Sequence, residues 1–371
     1  MLKKIIYIIS GSVDSPKTGG EFYTKMVIDY LRSKNKSIDT LTLGDVNKKN
    51  KYKNYPLINL KFAYYFLRKK NEPDIIIEDF YMHPWLFLFN WIIKIFTKKK
   101  IIVLVQSFYH FNQNNVLLNF IDKIVAIFFL RPIDIVIANS QTTAKELEYM
   151  GIKRSKIQVI YPGTDLKQVL LSDNNENYKN KKNSEKIKLL SVVNYEPRKG
   201  IHFLLEALAL LKKNNLNIKK WVCEIVGNPD TNPLYTQHLK NMIINLNLKG
   251  QVELLGWKSR EEVKDLFKNS DIFVFPSINE GFGMVLAEAM GYGLPIVAFR
   301  AGPIPELIDD GKNGILVEVK NVQKFAQAIE RLINDDNTRK VMGEESKKRA
   351  SQFLIPWERV GERFLEIIET V

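Results

Sequence analysis

The 371-residue chain has one cysteine, Cys223, and four histidines, His83, His110, His202 and His238. A single cysteine excludes an intrachain disulfide and a thiolate-rich metal site. The histidines are scattered, and no pair has the spacing of a zinc ligand set. There is no Asp-x-Asp triplet. No Gly-x-Gly-x-x-Gly follows the first apolar run, which argues against a dinucleotide site at that point. A spanning helix requires ~20 apolar residues, and the longest candidate, residues 85–96, is interrupted by Asn90 and Lys94. At the amino end Ile5-Ile6-Tyr7-Ile8-Ile9 is only a strand's length of apolar residues without a small-residue cleavage site. No secretory signal is therefore expected, and the expected location is the cytoplasm.

What the chain does contain is ordinary in bulk and unusual in charge. Apolar residues make up 45% and charged residues 26%, as in soluble globular proteins. The length suits two domains of ~150–200 residues. Lysine and arginine outnumber aspartate and glutamate by 14. Residues 1–170 hold 26 basic and 14 acidic side chains, whereas residues 171–371 hold 29 and 27. Such asymmetry points to a partner for the basic half: nucleic acid, an anionic membrane surface or an acidic substrate. The alternative is a compositional bias, because the chain is rich in Lys, Asn and Ile throughout.

Short apolar runs alternate with helical periodicity. Strands are expected over 4–9, 75–77, 101–105, 133–138 and 156–160, flat and apolar on both faces. Helices are expected over 21–32 and 142–150, the second capped by Ser140. Residues 171–186 contain almost nothing apolar and read as a linker. The alternation then restarts, with strands over 187–193, 221–226, 252–255, 271–276, 295–298 and 314–317, and ends in an amphipathic segment, 357–368. Two doubly wound α/β units follow from this pattern, with ligands at the carboxyl ends of their strands.

Two segments carry chemistry. In Phe275-Pro276-Ser277-Ile278-Asn279-Glu280-Gly281-Phe282-Gly283-Met284-Val285 a strand ends, a carboxylate sits beside two glycines, and a helix begins. Gly281 and Gly283 allow close backbone approach, and the free N–H groups of the helix start, from about Gly283 to Leu286, suit an anion. Glu280 at the same mouth, with Glu288 further along, suits a ligand that has hydroxyls as well as phosphates. The alternative is a capping carboxylate plus an unrelated surface Glu. Asn194-Tyr195-Glu196-Pro197-Arg198-Lys199-Gly200 brings two cations and a glycine to the end of another strand, a diphosphate clamp or a solvated helix start. A third loop, 11–20, nearly matches a P-loop, but Pro16 stands where glycine is required and has no N–H for a phosphate. Gly19 and Gly20 remain a close-approach site for a phosphate or sugar.

Together these residues resemble the retaining glycosyltransferases of family 4. The resemblance rests on Glu280 and Glu288 eight residues apart, with Phe275-Pro276-Ser277 before them and Gly293-Leu294-Pro295-Ile296-Val297-Ala298 after. Gly19-Gly20-Glu21, Ala138-Asn139-Ser140, Pro162-Gly163-Thr164-Asp165, Pro197-Arg198-Lys199-Gly200-Ile201, and Gly302 with Pro305-Glu306-Leu307-Ile308 extend it over nearly the whole chain. It implies the α/β GT-B fold: an acceptor-side Rossmann-like domain over 1–170, the linker over 171–186, and a nucleotide-sugar domain over 187–352. A final helix over 353–371 would pack back on the first domain. The implied donor is a UDP- or GDP-sugar, with no cofactor and no metal, because Arg198 and Lys199 neutralise the diphosphate. Glu280 would hold donor-sugar hydroxyls with the backbone of Gly281, Phe282, Gly283, Met284 and Val285. Glu288 would hold the ribose, and Gly256 would lie near the base; Gly19 and Gly20 belong to the family's glycine loop. Retention in this family is thought to proceed on the donor's front face, a phosphate oxygen taking the acceptor proton. Members commonly carry a histidine after the strand 101–105, facing the reacting sugar; here Gln106 stands there and His110 comes four residues later. Either His110 swings in as the catalytic histidine, or Gln106 substitutes as a hydrogen-bond donor to the sugar on the acceptor side. His83, in another first-domain loop, is a further acceptor-side candidate.

The helices expected over 85–97 and 116–130 are strongly apolar, the first with one narrow polar stripe of Asn90, Lys94 and Thr97. They read either as a membrane-facing surface or as covers for a buried sheet. With the basic half, the expectation is peripheral attachment at the inner face of the cell membrane and a lipid-linked or glycan acceptor, not nucleic acid. The rival readings are a sugar-nucleotide epimerase of the same fold and a non-catalytic nucleotide-sugar-binding member of an assembly.

Overall fold

The computed structural model describes residues 4–9, 16, 18–34, 36–42, 73–79, 83–106, 127–128, 130–164, 186–214 and 218–371. The chain divides into two compact units, residues 1–163 with 355–371, and residues 164–354. His110, the loop before Pro16 and nearly all of the 171–186 segment lie outside the described residues, as do the side chain of His83 and most of 116–130.

The first unit is a parallel six-stranded sheet, β1 (Ile5–Ile9), β2 (Ile38–Thr42), β3 (Ile75–Asp79), β4 (Lys100–Val105), β5 (Ile135–Ala138) and β6 (Ile157–Val159), in the order β2-β1-β3-β4-β5-β6. Every residue of β1 and β3 is buried, as expected where helices cover both faces. β2 was not expected. It mixes apolar and polar residues because it is an edge strand, paired with β1 alone. The helices are α1 (Gly19–Ser33), α2 (His83–Phe96) and α3 (Gln141–Tyr149). Ser140 caps α3 by accepting from the Thr143 N–H at 3.0 Å.

Helix α2 settles how its two faces are used. Leu86, Phe89 and Ile93 pack on Ile101, Val103 and other sheet residues, so the helix covers the sheet. Part of its polar stripe also meets carboxylates of the same unit. Asn90 is buried and donates to Glu78 at 3.0 Å, and Lys94 reaches both oxygens of Asp134 at 2.7 Å. The sheet's own carboxylates need donors, and the stripe supplies them. Ile95 and Phe96 at the end of α2 are 67% and 70% exposed, and Leu88, Ile127 and Phe128 are exposed as well. Among the described residues no helix is long and apolar enough to cross a membrane.

The second unit repeats the architecture. Strands β7 (Ile187–Val192), β8 (Trp221–Val226), β9 (Val252–Gly256), β10 (Ile272–Phe275), β11 (Ile296–Phe299) and β12 (Gly314–Val317) form a parallel sheet in the order β12-β11-β10-β7-β8-β9. Its helices are α4 (Ile201–Asn214), α5 (Pro233–Asn245), α6 (Arg260–Asn269), α7 (Met284–Gly291), α8 (Ile304–Leu307), α9 (Val322–Asn334) and α10 (Asp336–Ala350). The last two add to the outline read from sequence; α9 buries Phe325, Ile329, Leu332 and Ile333 at helical spacing.

The chain's last helix, α11 (Trp357–Thr370), belongs to the first unit. It buries Trp357, Val360, Phe364, Ile367 and Ile368. Trp357 meets Phe22 edge-on with ring centroids 5.5 Å apart, and Phe364 meets Tyr23 at 6.1 Å. Five such side chains contribute on the order of 10 kcal/mol of gross burial, most of it offset by ordering. Gly361 is needed there, because a β-carbon would come within 2.1 Å of the Tyr30 ring.

In each sheet the chain turns back at one point. After β1 it runs to β2 on one side and to β3 on the other; after β7 it runs to β8 on one side and eventually to β10 on the other. Beyond the carboxyl ends of β7 and β10 the connecting loops diverge, the usual ligand position in such sheets.

Candidate functional site

At the β7/β10 crevice the structure brings together the two segments singled out by sequence. After β7 a short turn, Pro197–Lys199, presents Arg198 and Lys199. After β10 the chain leads through Ser277 to Glu280 and into α7. Lys199 Nζ lies 2.6 Å from Glu280 Oε2, and the two side chains are only 12% and 11% exposed. Ser277 Oγ donates to the same oxygen at 3.3 Å, and the Gly281 N–H reaches Oε1 at 3.1 Å. Arg198 Nε pairs with Glu196 at 2.6 Å. The two loops are also joined through backbone, since the Ile278 N–H donates to the Arg198 carbonyl at 3.0 Å.

Burial pushes the Glu280 carboxyl up, but Lys199, by charge and by hydrogen bond, with Arg198 and the Gly281 N–H, outweighs it. The carboxyl ends below its ordinary value and is ionised at neutral pH. Charge-assisted bonds of this kind hold a carboxylate in one orientation at the mouth of the crevice.

Two glycines make the approach possible. Gly200 has φ +68° and lies so close to the Pro276 carbonyl that a β-carbon would stand 2.0 Å from its oxygen. Gly283 caps α7 at φ 87°, a left-handed conformation that side chains resist. The Leu286 N–H is taken by the Gly283 carbonyl at 2.8 Å. This narrows the amide donors at the helix start to the residues before Leu286. Phe282 is buried with its ring facing Phe353 at 6.4 Å, so it has only backbone to offer a ligand. Glu288 is half-buried on α7. Gly256 ends β9, and its N–H donates to Tyr195 Oη at 3.2 Å. Tyr195 Oη in turn donates to the Ile225 carbonyl at 2.8 Å, and burial raises its phenol to about 12. Tyr195 thereby ties the strand carrying Gly256 to the loop carrying Arg198. Sequence reasoning did not single out Tyr195, Ser277 or the close approach at Gly200. The position of Tyr195 three residues before Arg198 was the available signal.

The first unit holds Gly19, Gly20 and Gln106, the candidates among its described residues. Gly19 and Gly20 open α1, whose cap Thr18 accepts from the Glu21 N–H at 3.2 Å. Gln106, after β4, is 9% exposed and donates from Nε2 to the Gly20 carbonyl at 3.1 Å. Asn139 Nδ2 donates to the Gln106 carbonyl at 2.7 Å. Gln106 is therefore held against the start of α1. Asp79, not singled out by sequence, ends β3 beside it. Burial pushes its carboxyl up to about 7 against bonds from Thr24 and Tyr7 that pull it down, and Glu21 pushes it further up.

Comparison with known proteins fits this layout. Residues 172–349 match the family of Glycosyl transferases group 1, and residues 30–168 match Glycosyltransferase Family 4. The two matched segments lie on an α/β fold of the GT-B type. An uncharacterized glycosyltransferase of Methanocaldococcus jannaschii, MJ1178, is 32% identical over 206 residues, covering 56% of this chain and 51% of that protein. D-inositol 3-phosphate glycosyltransferase of Corynebacterium glutamicum is 28% identical over 229 residues, covering 59% and 54%. The chain spans about half the length of these curated relatives. The solved structure of Anabaena Alr3699/HepE in complex with UDP and glucose superposes with a TM-score of 0.73 at 20% identity, over 99% of this chain and all of that one, a likeness of fold.

Proposed function

We propose that the protein is a retaining glycosyltransferase that moves a hexose from a UDP- or GDP-linked sugar to a hydroxyl of a lipid-linked or cell-surface glycan precursor. The observation that carries this reading is the buried Lys199–Glu280 pair beside the glycine-capped start of α7. A lysine has three N–H donors, so Lys199 can keep Glu280 and still bind a diphosphate oxygen. With Arg198 it neutralises the departing nucleoside diphosphate, the task a metal performs elsewhere. Glu280, ionised, accepts from donor-sugar hydroxyls, while the backbone from Gly281 to Val285 holds phosphate. Glu288 takes the ribose, and Gly256 leaves room for the base. The bond from the anomeric carbon to phosphate breaks, the bond to the acceptor oxygen forms on the same face, and a phosphate oxygen takes the acceptor's proton. Gly19 and Gly20 approach the donor, His110 faces the reacting sugar, and Gln106 and His83 serve the acceptor side. The exposed Leu88, Ile95, Phe96 and Phe128, with Lys98 and Arg131 nearby in sequence, support attachment to an anionic membrane surface.

A thermal-shift panel of UDP- and GDP-sugars, run without added metal, tests the donor reading. At a hundredfold excess over Kd a bound donor stabilises by about 2.7 kcal/mol, a rise of about 5–10 °C. The rise disappears in Arg198→Ala. A folded wild-type protein indifferent to every donor sinks the reading.

A further inference from the structure

We propose that the Tyr195 hydroxyl is a positioning group for the donor nucleotide: it fixes the strand end that receives the base relative to the turn that holds the diphosphate. This rests on the glycosyl-transfer reading and uses only residues of the second unit. Tyr195 follows β7 and is 1% exposed. Its ring lies against bare backbone, since a β-carbon at Gly227 would come within 2.8 Å of Tyr195 Cδ1 and Cε1. So seated, the ring carries its hydroxyl to the junction of β8 and β9.

That junction is irregular. Ile225 pairs with Leu254 but Val226 pairs with Gly256, so Leu255 is skipped. The hydroxyl enters there. It donates to the Ile225 carbonyl at 2.8 Å and accepts from the Gly256 N–H at 3.2 Å, bridging an acceptor on one strand to a donor on the other. The Gly256 carbonyl is held as well, by the Gly227 N–H at 3.0 Å. Both polar groups of Gly256 are thus fixed, yet the residue has φ +71° and a β-carbon on it would meet nothing within 4 Å. The next residue, Trp257, is 69% exposed, an aromatic surface of the kind on which bases stack. A rigid backbone beside open space gives a planar base a defined place.

Toward the cations the chain is equally constrained. The Lys199 N–H donates to the Glu196 carbonyl at 2.9 Å and the Gly200 N–H to the Pro197 carbonyl at 3.0 Å, in a turn that Pro197 opens. Arg198 pairs with Glu196 in the same turn. The hydroxyl has no acid–base part, because burial raises the phenol to about 12 and its proton is committed to Ile225. Its contribution is distance: phenylalanine would fill the same socket and lose only the link between base and diphosphate sites.

The test is calorimetric titration of the full-length protein and of Tyr195→Phe, without added metal, with UDP, GDP and inorganic pyrophosphate. Whichever nucleotide binds wild type should bind the variant about 5-fold more weakly, because the strand end must then be ordered on binding. Pyrophosphate, which has no base, should bind both proteins equally. Hydrogen exchange gives a second reading on the same proteins. The β9 peptide should exchange faster in the variant, and the nucleotide should restore its protection. Equal nucleotide affinity in the two proteins overturns the proposal, as does unchanged exchange of β9. An equal loss for pyrophosphate, or a variant that does not fold, also overturns it, since the hydroxyl is then only structural. In each of these cases nucleotide binding by wild type leaves the donor reading standing. If neither nucleotide binds wild type, both fall.

Discussion

The two units place a buried carboxylate at the same topological position and give it opposite properties. Glu280, beyond β10, has a lysine at 2.6 Å and a backbone N–H, and lies below its ordinary pKa. Asp79, at the end of β3, has two neutral hydroxyls and a nearby Glu21, and rises to about 7. Burial penalises ionisation in both, so the partner decides the outcome. A fixed anion suits a site that must orient hydroxyls beside a diphosphate.

Removing the partner from the second unit should have the largest effect. Lys199→Met leaves Glu280 buried without its cation, at a cost of about 3–5 kcal/mol of that unit's stability. Glu280 contributes stability above its unfolded value, lost as pH falls through the lower folded one, so the deficit should shrink in acid. Denaturant melts at pH 7 and pH 4 check this; equal stability at both would remove the contrast between the units.

Asp79→Asn should act in the opposite direction. The folded value near 7 lies above the ordinary carboxylate value of 3.8, so the native state holds a proton that the unfolded state releases. Stability therefore falls as pH rises from about 4 to 7 and stays low above. The asparagine variant should gain about 3–4 kcal/mol at pH 8 and less than about 2 at pH 5. A gain independent of pH would refute the assignment.

The smallest effects compare two close-packed glycines. At Gly200 a β-carbon meets the Pro276 backbone oxygen at 2.0 Å in a left-handed conformation; at Gly20 it meets the side-chain oxygen of Gln106 at the same distance. Gly200→Ala should cost about 3 kcal/mol, because neither the backbone nor the handedness can yield. Gly20→Ala displaces a side chain and gains helix propensity, so it should stay within about 1 kcal/mol of wild type. Thermal melts of both variants measure the difference.

Most of the fold is legible in the sequence. The isoleucine- and valine-rich runs identify eleven of the twelve strands among the described residues, because a strand buried on both faces must be apolar throughout. β2 escapes because an edge strand carries a mixed pattern. The polar stripe of α2 is legible but not its partners: only the fold shows Asn90 meeting Glu78 and Lys94 meeting Asp134. Of the candidate site, the glycines, Arg198, Lys199 and Glu280 are visible because loops at strand ends concentrate the residue types that bind phosphate and hydroxyls. Asp79 is not, since nothing near it in sequence marks it as exceptional.

By itself the sequence determined the alternation of strand and helix, the two units, and which loops carry cations and carboxylates. These follow from local periodicity and from the backbone freedom of glycine. Tertiary structure alone decided which carboxylate meets a cation. Lys199 and Glu280 are 81 residues apart, and Thr24 and Asp79 are 55 apart. Ionisation responds to charges and desolvation over a few ångströms of space. Only the folded chain brings those groups within that range.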